Sequence, residues 1–398
     1  MKISSAAKKA IIIGSACSIS YLAVYIARNI LGAVSPQMLE KGVFSEENIG
    51  SLSSIYFICY ALGQLVNGAL GDKIKAKYMI GMGLIMAGCC NLIFSVAAKT
   101  FTVACIAYSC TGFFLSMIYG PMAKLVAENV EPIYAARCSL GYTFASFFGS
   151  PLAGVLATFL TWQGVFAASS AMLFVMGCVV FITFSLFERK GIIHFHQHKK
   201  EAAKGGSFRA LLKHRIVKFT LVAILTGVIR TTVVLWLPTY LSQHLSFSAK
   251  NAASIFTAAT FIISFAAFIA VFTYERLKRN LDLTIFLSFL LSALCFAVVY
   301  LVRQPVVNIV FLILAILASC CASAMLWSEY CPRLRDTGMV SGATGFLDCT
   351  SYLAAAASSK IFGNAVSVVG WGNLILIWCG LMVVGFFIFL PIRRKAKT

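Results

Sequence analysis

The chain has 398 residues, of which 60% are hydrophobic and only 12% are charged. Its mean hydropathy of +0.90 is too high for a soluble globular domain and is typical of a polytopic helical membrane protein. The sequence suggests no separate soluble domain.

Apolar segments long enough to cross a membrane recur along the whole chain. The first follows three lysines, as in a signal peptide, but it is far longer than the apolar core of a signal peptide, so we expect a retained first helix. We predict an all-α membrane protein with twelve transmembrane helices, at residues 10–39, 48–71, 77–97, 101–125, 138–160, 163–187, 214–243, 248–273, 281–302, 305–327, 338–362 and 367–391.

The net charge of +20 is compatible with a nucleic-acid-binding protein, but its distribution indicates a membrane topology instead. Most of the 33 basic residues lie in the two tails and in every second loop, as is typical of cytoplasmic loops. This pattern predicts that both termini are cytoplasmic, and we expect a bacterial inner membrane. We expect contacts with membrane lipids, no nucleic-acid partner and a monomer.

The fourteen cysteines lie almost all within the apolar segments, and no C-x-x-C pair occurs. We interpret them as small apolar residues that pack helices together. We predict no metal site and no cofactor. The five histidines suggest no catalytic site, so we do not expect an enzyme. The sequence has no phosphate-binding loop, which argues against an ATP-driven pump.

Arg28 and Arg230 each lie inside a long apolar segment, where a permanent charge is costly. Placing an arginine at the centre of a membrane costs about 2.5 to 3.5 kcal/mol on insertion scales. An arginine does not lose its proton, and its planar fork binds phosphate or carboxylate through two hydrogen bonds. We therefore predict that the two residues form a site for a small anionic substrate.

The two arginines stand at matching positions of an internal repeat with an offset of about 200 residues. Ser45 and Ser248 also match, and each precedes an apolar segment as a suitable helix cap. In such repeats the substrate binds near the midplane, and one half rocks against the other. The repeat predicts three parts: a first six-helix half at 1–187, a basic cytoplasmic linker at 188–213 and a second six-helix half at 214–398.

Three segments carry a family resemblance. Residues 63–77 are similar to the signature loop between the second and third helices of the major facilitator superfamily. YLAVYIAR, which ends at Arg28, and GVIRTTVVLWLPTYL, which contains Arg230, are similar to helices of one family within it, the organophosphate:phosphate antiporters. Glycerol-3-phosphate and hexose-phosphate transporters typify that family. The resemblance implies that paired arginines hold a phosphate group and that inorganic phosphate exchanges for an organic phosphate.

Polar residues share helical faces with this site. Tyr21, Tyr25 and Arg28 are spaced i, i+4 and i+7, so two phenol hydroxyls lie beside the guanidinium and suit a tetrahedral oxyanion. The alternative is that the tyrosines only pack against neighbouring helices. Tyr60 and Gln64 share a face of the second helix, and the resemblance implies that both lie near the substrate.

The chain departs from the glycerol-3-phosphate transporters at three positions. It has Phe144 where they carry a histidine, Gln64 where they carry a lysine and Gly227 where they carry a tyrosine. These departures predict a less basic and more apolar site, which suits a substrate with a larger or more apolar organic part.

Asp348 lies deep within the predicted eleventh helix, and ionisable residues at such positions are commonly functional. One hypothesis is that Asp348 carries a coupling proton. The other is that it neutralises an arginine or bonds to Thr350 or to a neighbouring helix.

Charged residues at the predicted cytoplasmic ends of matching helices are candidates for a gate. Salt bridges there would close the inner side in one state and break in the other. The alternative is that these charges only set the topology. The candidates are Asp72, Lys73, Glu128, Arg137, Glu275, Arg276, Glu329 and Arg335.

The predicted function is secondary active transport of a phosphate-bearing or similar small organic anion, in exchange for inorganic phosphate. Proton-coupled symport through Asp348 is one alternative. A membrane sensor of a sugar phosphate is another, because some members of the family that the chain resembles are sensors.

Overall fold

The computed structural model describes residues 4–71, 74–97, 100–194, 208–334 and 340–390, which form helices and their connections. Two short π-helical turns, Val228–Val233 and Leu326–Tyr330, interrupt longer helical segments. The α-helices are α1 (Ser5–Glu40), α2 (Glu46–Gly71), α3 (Ala76–Ala97), α4 (Phe101–Leu115), α5 (Tyr119–Asn129), α6 (Pro132–Phe159), α7 (Trp162–Arg189), α8 (Phe208–Lys213), α9 (Ile216–Gly227), α10 (Val234–Gln243), α11 (Ala249–Ile263), α12 (Ala266–Arg276), α13 (Leu281–Leu301), α14 (Pro305–Met325), α15 (Cys331–Arg333) and α16 (Val340–Ile388).

Ten stretches of described helix are long and apolar enough to cross a membrane. The last of them lies in α16, which Gly370 divides into two helices because its φ of +76° is not helical. Within α6, Phe144–Phe159 is a further, shorter apolar helix of the described residues. The predicted all-α membrane fold is confirmed.

The second and eighth spans begin with the same capping bond. The hydroxyl of Ser45 accepts the N–H of Asn48 at 3.3 Å, and the hydroxyl of Ser248 accepts the N–H of Asn251 at 3.3 Å. Each bond satisfies an amide that has no partner in the first turn of the helix. The two predicted serine caps are confirmed.

Small residues allow close helix contacts, as in α3 and α7. A β-carbon on Gly177 would lie 2.9 Å from the carbonyl oxygen of Gly81, and one on Gly88 would lie 3.0 Å from that of Ser170. Such close approach supplies the packing that holds helices together in lipid. All fourteen cysteines are free thiols within this helical framework.

The helices divide into two compact units, whose boundaries differ from those of the predicted halves because residues 235–261 and 359–363 pack within the first unit. In unit 1, we call the side at which α1 begins proximal and the side at which it ends distal. The division into repeat halves stays a prediction. Unit 1 contains Met1–Ala202, Leu235–Phe261 and Ser359–Gly363, and unit 2 contains Ala203–Val234, Ile262–Ser358 and Asn364–Thr398.

Candidate functional site

Arg28 lies within α1 and is surrounded by aromatic rings of unit 1. The residue is only 8% exposed. Its guanidinium carbon lies 5.1 Å from the ring centroid of Tyr25, 5.2 Å from that of Phe57 and 5.5 Å from that of Tyr60. Each such contact stabilises a cation by about 0.5 to 2 kcal/mol. The rings therefore offset part of the cost of burial, and they do so without contributing a negative charge.

Tyr21 and Tyr25 pack against each other on α1, with ring centroids 5.0 Å apart and edge to face. The Tyr21 ring also lies 5.6 Å from the Tyr119 ring of α5 and 6.1 Å from the Tyr142 ring of α6. Tyr119 and Tyr142 are 6.2 Å apart. These four residues form the tyrosine cluster, which extends from Arg28 toward the proximal side of unit 1.

Gly149 of α6 holds α1 at the level of Tyr25. A β-carbon on Gly149 would lie 2.5 Å from the carbonyl carbon of Tyr25 and 2.8 Å from the amide nitrogen of Ile26. Real β-carbons do not approach backbone atoms so closely, so α6 packs here only because residue 149 is glycine. The position of Tyr25 beside Arg28 therefore depends on Gly149.

Of the two predicted residues on α2, the structure brings Tyr60 to Arg28. Tyr60 is buried and lies parallel to the Tyr56 ring at 6.1 Å. Gln64 lies one turn further along α2 and is half-buried. A role for Gln64 in substrate binding stays a prediction.

Arg230 of unit 2 lies in the π-helical turn Val228–Val233 and is half-buried. A π-turn inserts one extra residue into an α-helix, and such turns are frequent at functional sites. Directly before the turn, a β-carbon on Gly227 would lie 2.9 Å from the carbonyl oxygen of Ser351 in α16. This contact leaves no room for a tyrosine at position 227 between these two helices.

Asp348 and Arg230 lie at different levels of unit 2. The register of the two segments is set by the contact of Gly227 with Ser351 and by the hydrogen bond between the hydroxyls of Thr232 and Ser358, 2.6 Å long. Arg230 follows Gly227 by three residues, and Asp348 precedes Ser351 by three. Arg230 therefore lies beyond the Gly227 contact along its segment, and Asp348 lies before the Ser351 contact along α16. Asp348 itself is half-buried.

Two of the candidate gate residues pair with a neighbour one helical turn away. Glu128 lies 3.8 Å from Lys124, and Glu329 lies 3.7 Å from Arg333. Because both partners belong to the same helical segment, these pairs brace single segments. A gating role for Glu128 and Glu329 stays a prediction.

The other described candidates are on exposed helix ends. The guanidinium of Arg137 lies 5.7 Å from the ring of Tyr134, and that of Arg276 lies 5.0 Å from the ring of Phe272. Glu275 is exposed. The remaining candidates, Asp72, Lys73 and Arg335, lie outside the described residues.

Ion pairs that join separate helices occur at residues the sequence reasoning did not select. In unit 1, Glu188 at the end of α7 binds Lys75 and Lys77 at the start of α3, the second at 2.7 Å. The hydrogen bond that the Lys75 ammonium donates to the Glu188 carboxylate raises the pKa of Lys75 above its usual range. In unit 2, Arg215 binds Asp282 at 2.7 Å.

The distal side of unit 1 is closed by residues 235–261 and 359–363. The hydroxyls of Ser35 and Thr239 are 2.8 Å apart. The ammonium group of Lys360 donates to the hydroxyl of Ser51 at 2.7 Å and lies 3.7 Å from the carboxylate of Glu47. We use the name distal closure for these contacts and for those that Glu40 makes with Ala249 and Glu46 makes with Gln243.

Two further carboxylates complete the distal closure. Glu40, at the end of α1, accepts the N–H of Ala249 at 3.1 Å, which places its charge at the N-terminus of α11. An anionic side chain is stabilised there by the helix dipole. Glu46 accepts the side-chain amide of Gln243 at 2.6 Å. Beside these bonds lies an open cleft of about 530 Å³, which both carboxylates line.

The model of the Major Facilitator Superfamily matches residues 17–359 of the chain. The chain belongs to this superfamily. Its fold agrees: a crystal structure of a bacterial homologue of the human lysosomal transporter Spinster, inward-facing and unoccupied, superposes with a TM-score of 0.74. The alignment covers 95% of this chain and 92% of that one, at 14% identity.

Two relatives within the superfamily support the predicted resemblance to the organophosphate group. The "Membrane sensor protein UhpC" of Escherichia coli (strain K12) is 31% identical over 86 residues, which are 22% of this chain and 20% of that protein. The "Glycerol-3-phosphate transporter" of Bacillus subtilis (strain 168) is 20% identical over 256 residues, which are 58% of this chain and 57% of that protein. The matches thus span less than two thirds of either relative. The superfamily is one of transporters and not of enzymes.

Sequence reasoning missed Phe57, which contacts Arg28, and Tyr119 and Tyr142, which pack against Tyr21. Phe57 carries no polar group to mark it, and Tyr119 and Tyr142 lie on other helices than Arg28. Their approach depends on how α5 and α6 pack against α1, which no spacing within one helix reveals. Lys360 did carry a signal, because it is a basic residue inside an apolar segment, away from the tails and the basic loops.

Proposed function

We propose that this protein is a secondary active transporter that carries a small phosphate-bearing organic anion across the membrane in exchange for inorganic phosphate. Arg28 and Arg230 bind the phosphate group, and the tyrosines of α1 donate hydrogen bonds to it. The cycle alternates between a state open on one side and a state open on the other. Both termini face the cytoplasm of a bacterial cell.

The main support for this proposal is the environment of the Arg28 side chain. A permanently charged side chain, 8% exposed, lies inside an apolar span among Tyr25, Phe57 and Tyr60. Keeping a charge there is costly, and aromatic rings recover only part of the cost. A charge-assisted, two-pronged hydrogen bond to a phosphate is a strong compensating interaction, and guanidinium geometry suits it.

The distal closure supports the alternating cycle. Its bonds are made by hydroxyl, carboxylate and ammonium side chains, which water can replace when the contact opens. Exposed ion pairs such as Glu47 with Lys360 contribute only about 0 to 1 kcal/mol each. A closure built from several weak bonds can therefore open without a large energetic penalty.

Transport assays in reconstituted vesicles test the proposal. Purified protein is placed in vesicles loaded with inorganic phosphate or with phosphate-free buffer, and uptake of labelled phosphate and labelled glycerol 3-phosphate is followed. Exchange predicts rapid uptake only into phosphate-loaded vesicles. Uptake that needs a pH gradient instead of internal phosphate would support proton symport.

Sensing is the second candidate function, because the relative with 31% identity is a membrane sensor. A sensor keeps the anion site and does not need rapid turnover. Binding of organic phosphates without uptake in the same vesicles, at equal protein insertion, would favour sensing over transport.

A further inference from the structure

Tyr119 stands directly after a break in the fourth span. Residues 116–118 form a turn between α4 and α5, so Tyr119 is the first residue of α5. The turn is held from α2: Ser116 is buried, and its hydroxyl accepts the side-chain amide of Asn67 at 2.8 Å while donating to the carbonyl of Phe113 at 2.6 Å. The direction of the Tyr119 side chain is therefore fixed by packing within unit 1.

Within the tyrosine cluster, Tyr119 presents more of its surface than its two ring partners. Tyr119 is 36% exposed, whereas Tyr21 is 7% and Tyr142 is 5% exposed. The two buried rings support it at 5.6 and 6.2 Å. Tyr119 is thus a rigidly backed ring with an accessible surface and a hydroxyl group.

The spacing of the cluster separates Tyr119 from the charge of Arg28. The guanidinium reaches the Tyr25 ring at 5.1 Å, Tyr25 lies 5.0 Å from Tyr21, and Tyr21 lies 5.6 Å from Tyr119. A phosphate group bound at Arg28 is too small to reach across this row of rings. An organic body of the size of a sugar, attached to that phosphate, extends along it.

We propose that Tyr119 contacts the organic part of the substrate and makes the protein select sugar phosphates over inorganic phosphate and glycerol phosphate. This inference rests on the proposed function. A tyrosine offers a flat apolar face to the C–H groups of a sugar ring and a hydroxyl to its oxygen atoms. Glycerol 3-phosphate has no ring to lie on that face, so it gains less from Tyr119.

Binding measurements on the purified full-length protein test the inference. Titration calorimetry gives the Kd of inorganic phosphate, glycerol 3-phosphate and glucose 6-phosphate for the wild type and for Tyr119→Ala. We expect the Kd of glucose 6-phosphate to rise about tenfold, the size expected for one lost ring contact, and that of inorganic phosphate to change less than about twofold. Tyr119→Phe keeps the ring but lacks the hydroxyl. We expect its Kd to rise about threefold for glucose 6-phosphate and to stay unchanged for the other two ligands.

Two controls make the result decisive. Tyr300→Ala removes a similarly exposed tyrosine, 45% exposed, from α13 of unit 2 and should leave all three Kd values unchanged. Tyr119→Leu keeps side-chain bulk without a ring, and its Kd values replace those of Tyr119→Ala if the alanine variant does not fold. We expect the leucine variant to lose the same selectivity.

Equal weakening of all three ligands, or no change for glucose 6-phosphate, would overturn the role of Tyr119 while leaving the anion site intact. Failure of the proposed function has a different signature. In that case the wild type binds none of the three phosphates, and Arg28→Lys gives the same absence of binding as the wild type.

Discussion

Gly50 of α2 and Gly363 of α16 lie in backbone contact on the distal side of unit 1. A β-carbon on either glycine would lie 2.9 Å from the Cα atom of the other, and one on Gly50 would lie 2.6 Å from the carbonyl oxygen of Ser359. Two helices approach this closely only where neither carries a side chain. Beside this crossing, the hydroxyls of Ser53 and Ser359 lie 3.2 Å apart. A side chain introduced at this crossing is therefore expected to push the two helices apart.

Gly50→Leu is expected to disrupt the distal closure. A leucine side chain cannot fit against the backbone of residues 359–363, so the closed arrangement should lose about 1 to 3 kcal/mol relative to an open one. Hydrogen–deuterium exchange measures how often the distal closure opens, without attaching a probe to the protein. The N–H of Ala249, which donates to Glu40 in the closed arrangement, should exchange at least tenfold faster in the variant.

The control for this prediction is Gly380→Leu, because a β-carbon on Gly380 meets no atom within 4 Å in the described part of the chain. Its exchange at Ala249 should match the wild type. Unchanged exchange at Ala249 in Gly50→Leu would show that the glycine crossing does not hold the distal side closed.

Gly149→Ala is expected to displace Tyr25 from Arg28. The added methyl group would overlap the backbone of α1 at Tyr25 and Ile26, and relief of this overlap costs about 1 to 3 kcal/mol. We expect a lower Tm in detergent and a several-fold weaker affinity for inorganic phosphate. Gly380→Ala is the matched control, and an unchanged Tm and affinity in Gly149→Ala would contradict the packing described here.

Asp348→Asn separates exchange from proton symport. Asp348 is half-buried in α16, and its charge is either a structural counter-charge or the carrier of a coupling proton. If the cycle is exchange, counterflow of phosphate should be kept in the variant and binding should be unchanged or slightly tighter. Loss of uptake driven by a pH gradient, with counterflow preserved, would instead identify Asp348 as the carrier of the coupling proton.

Much of the site around Arg28 followed from helical periodicity alone. Tyr21, Tyr25 and Arg28 share one face because residues four and seven apart return to the same side of a helix. The capping roles of Ser45 and Ser248 followed in the same way from local chemistry, since a serine before an apolar run satisfies the first free amides. Both kinds of inference use only neighbours in the chain.

Contacts between helices did not follow from the sequence. Phe57 reaches Arg28, and Gly149 reaches Tyr25, only because of the rotation and depth at which α2 and α6 pack against α1. The π-turn at Arg230 also has no sequence signature, because a shift to i→i+5 bonding needs no particular residue. The contact of Gly227 with Ser351 likewise depends on how the two helices pack, which the sequence does not show.

The central claim is that the guanidinium groups of Arg28 and Arg230 bind the phosphate of the substrate. Lysine keeps the positive charge of each residue but cannot form the two parallel hydrogen bonds of the planar fork. The direct measurement is counterflow of labelled phosphate into phosphate-loaded vesicles that contain equal amounts of inserted wild type, Arg28→Lys or Arg230→Lys protein. We predict rapid counterflow for the wild type and a fall of at least about tenfold in each variant, the size expected for one lost charge-assisted hydrogen bond. Counterflow near the wild-type rate in both variants would contradict the claim.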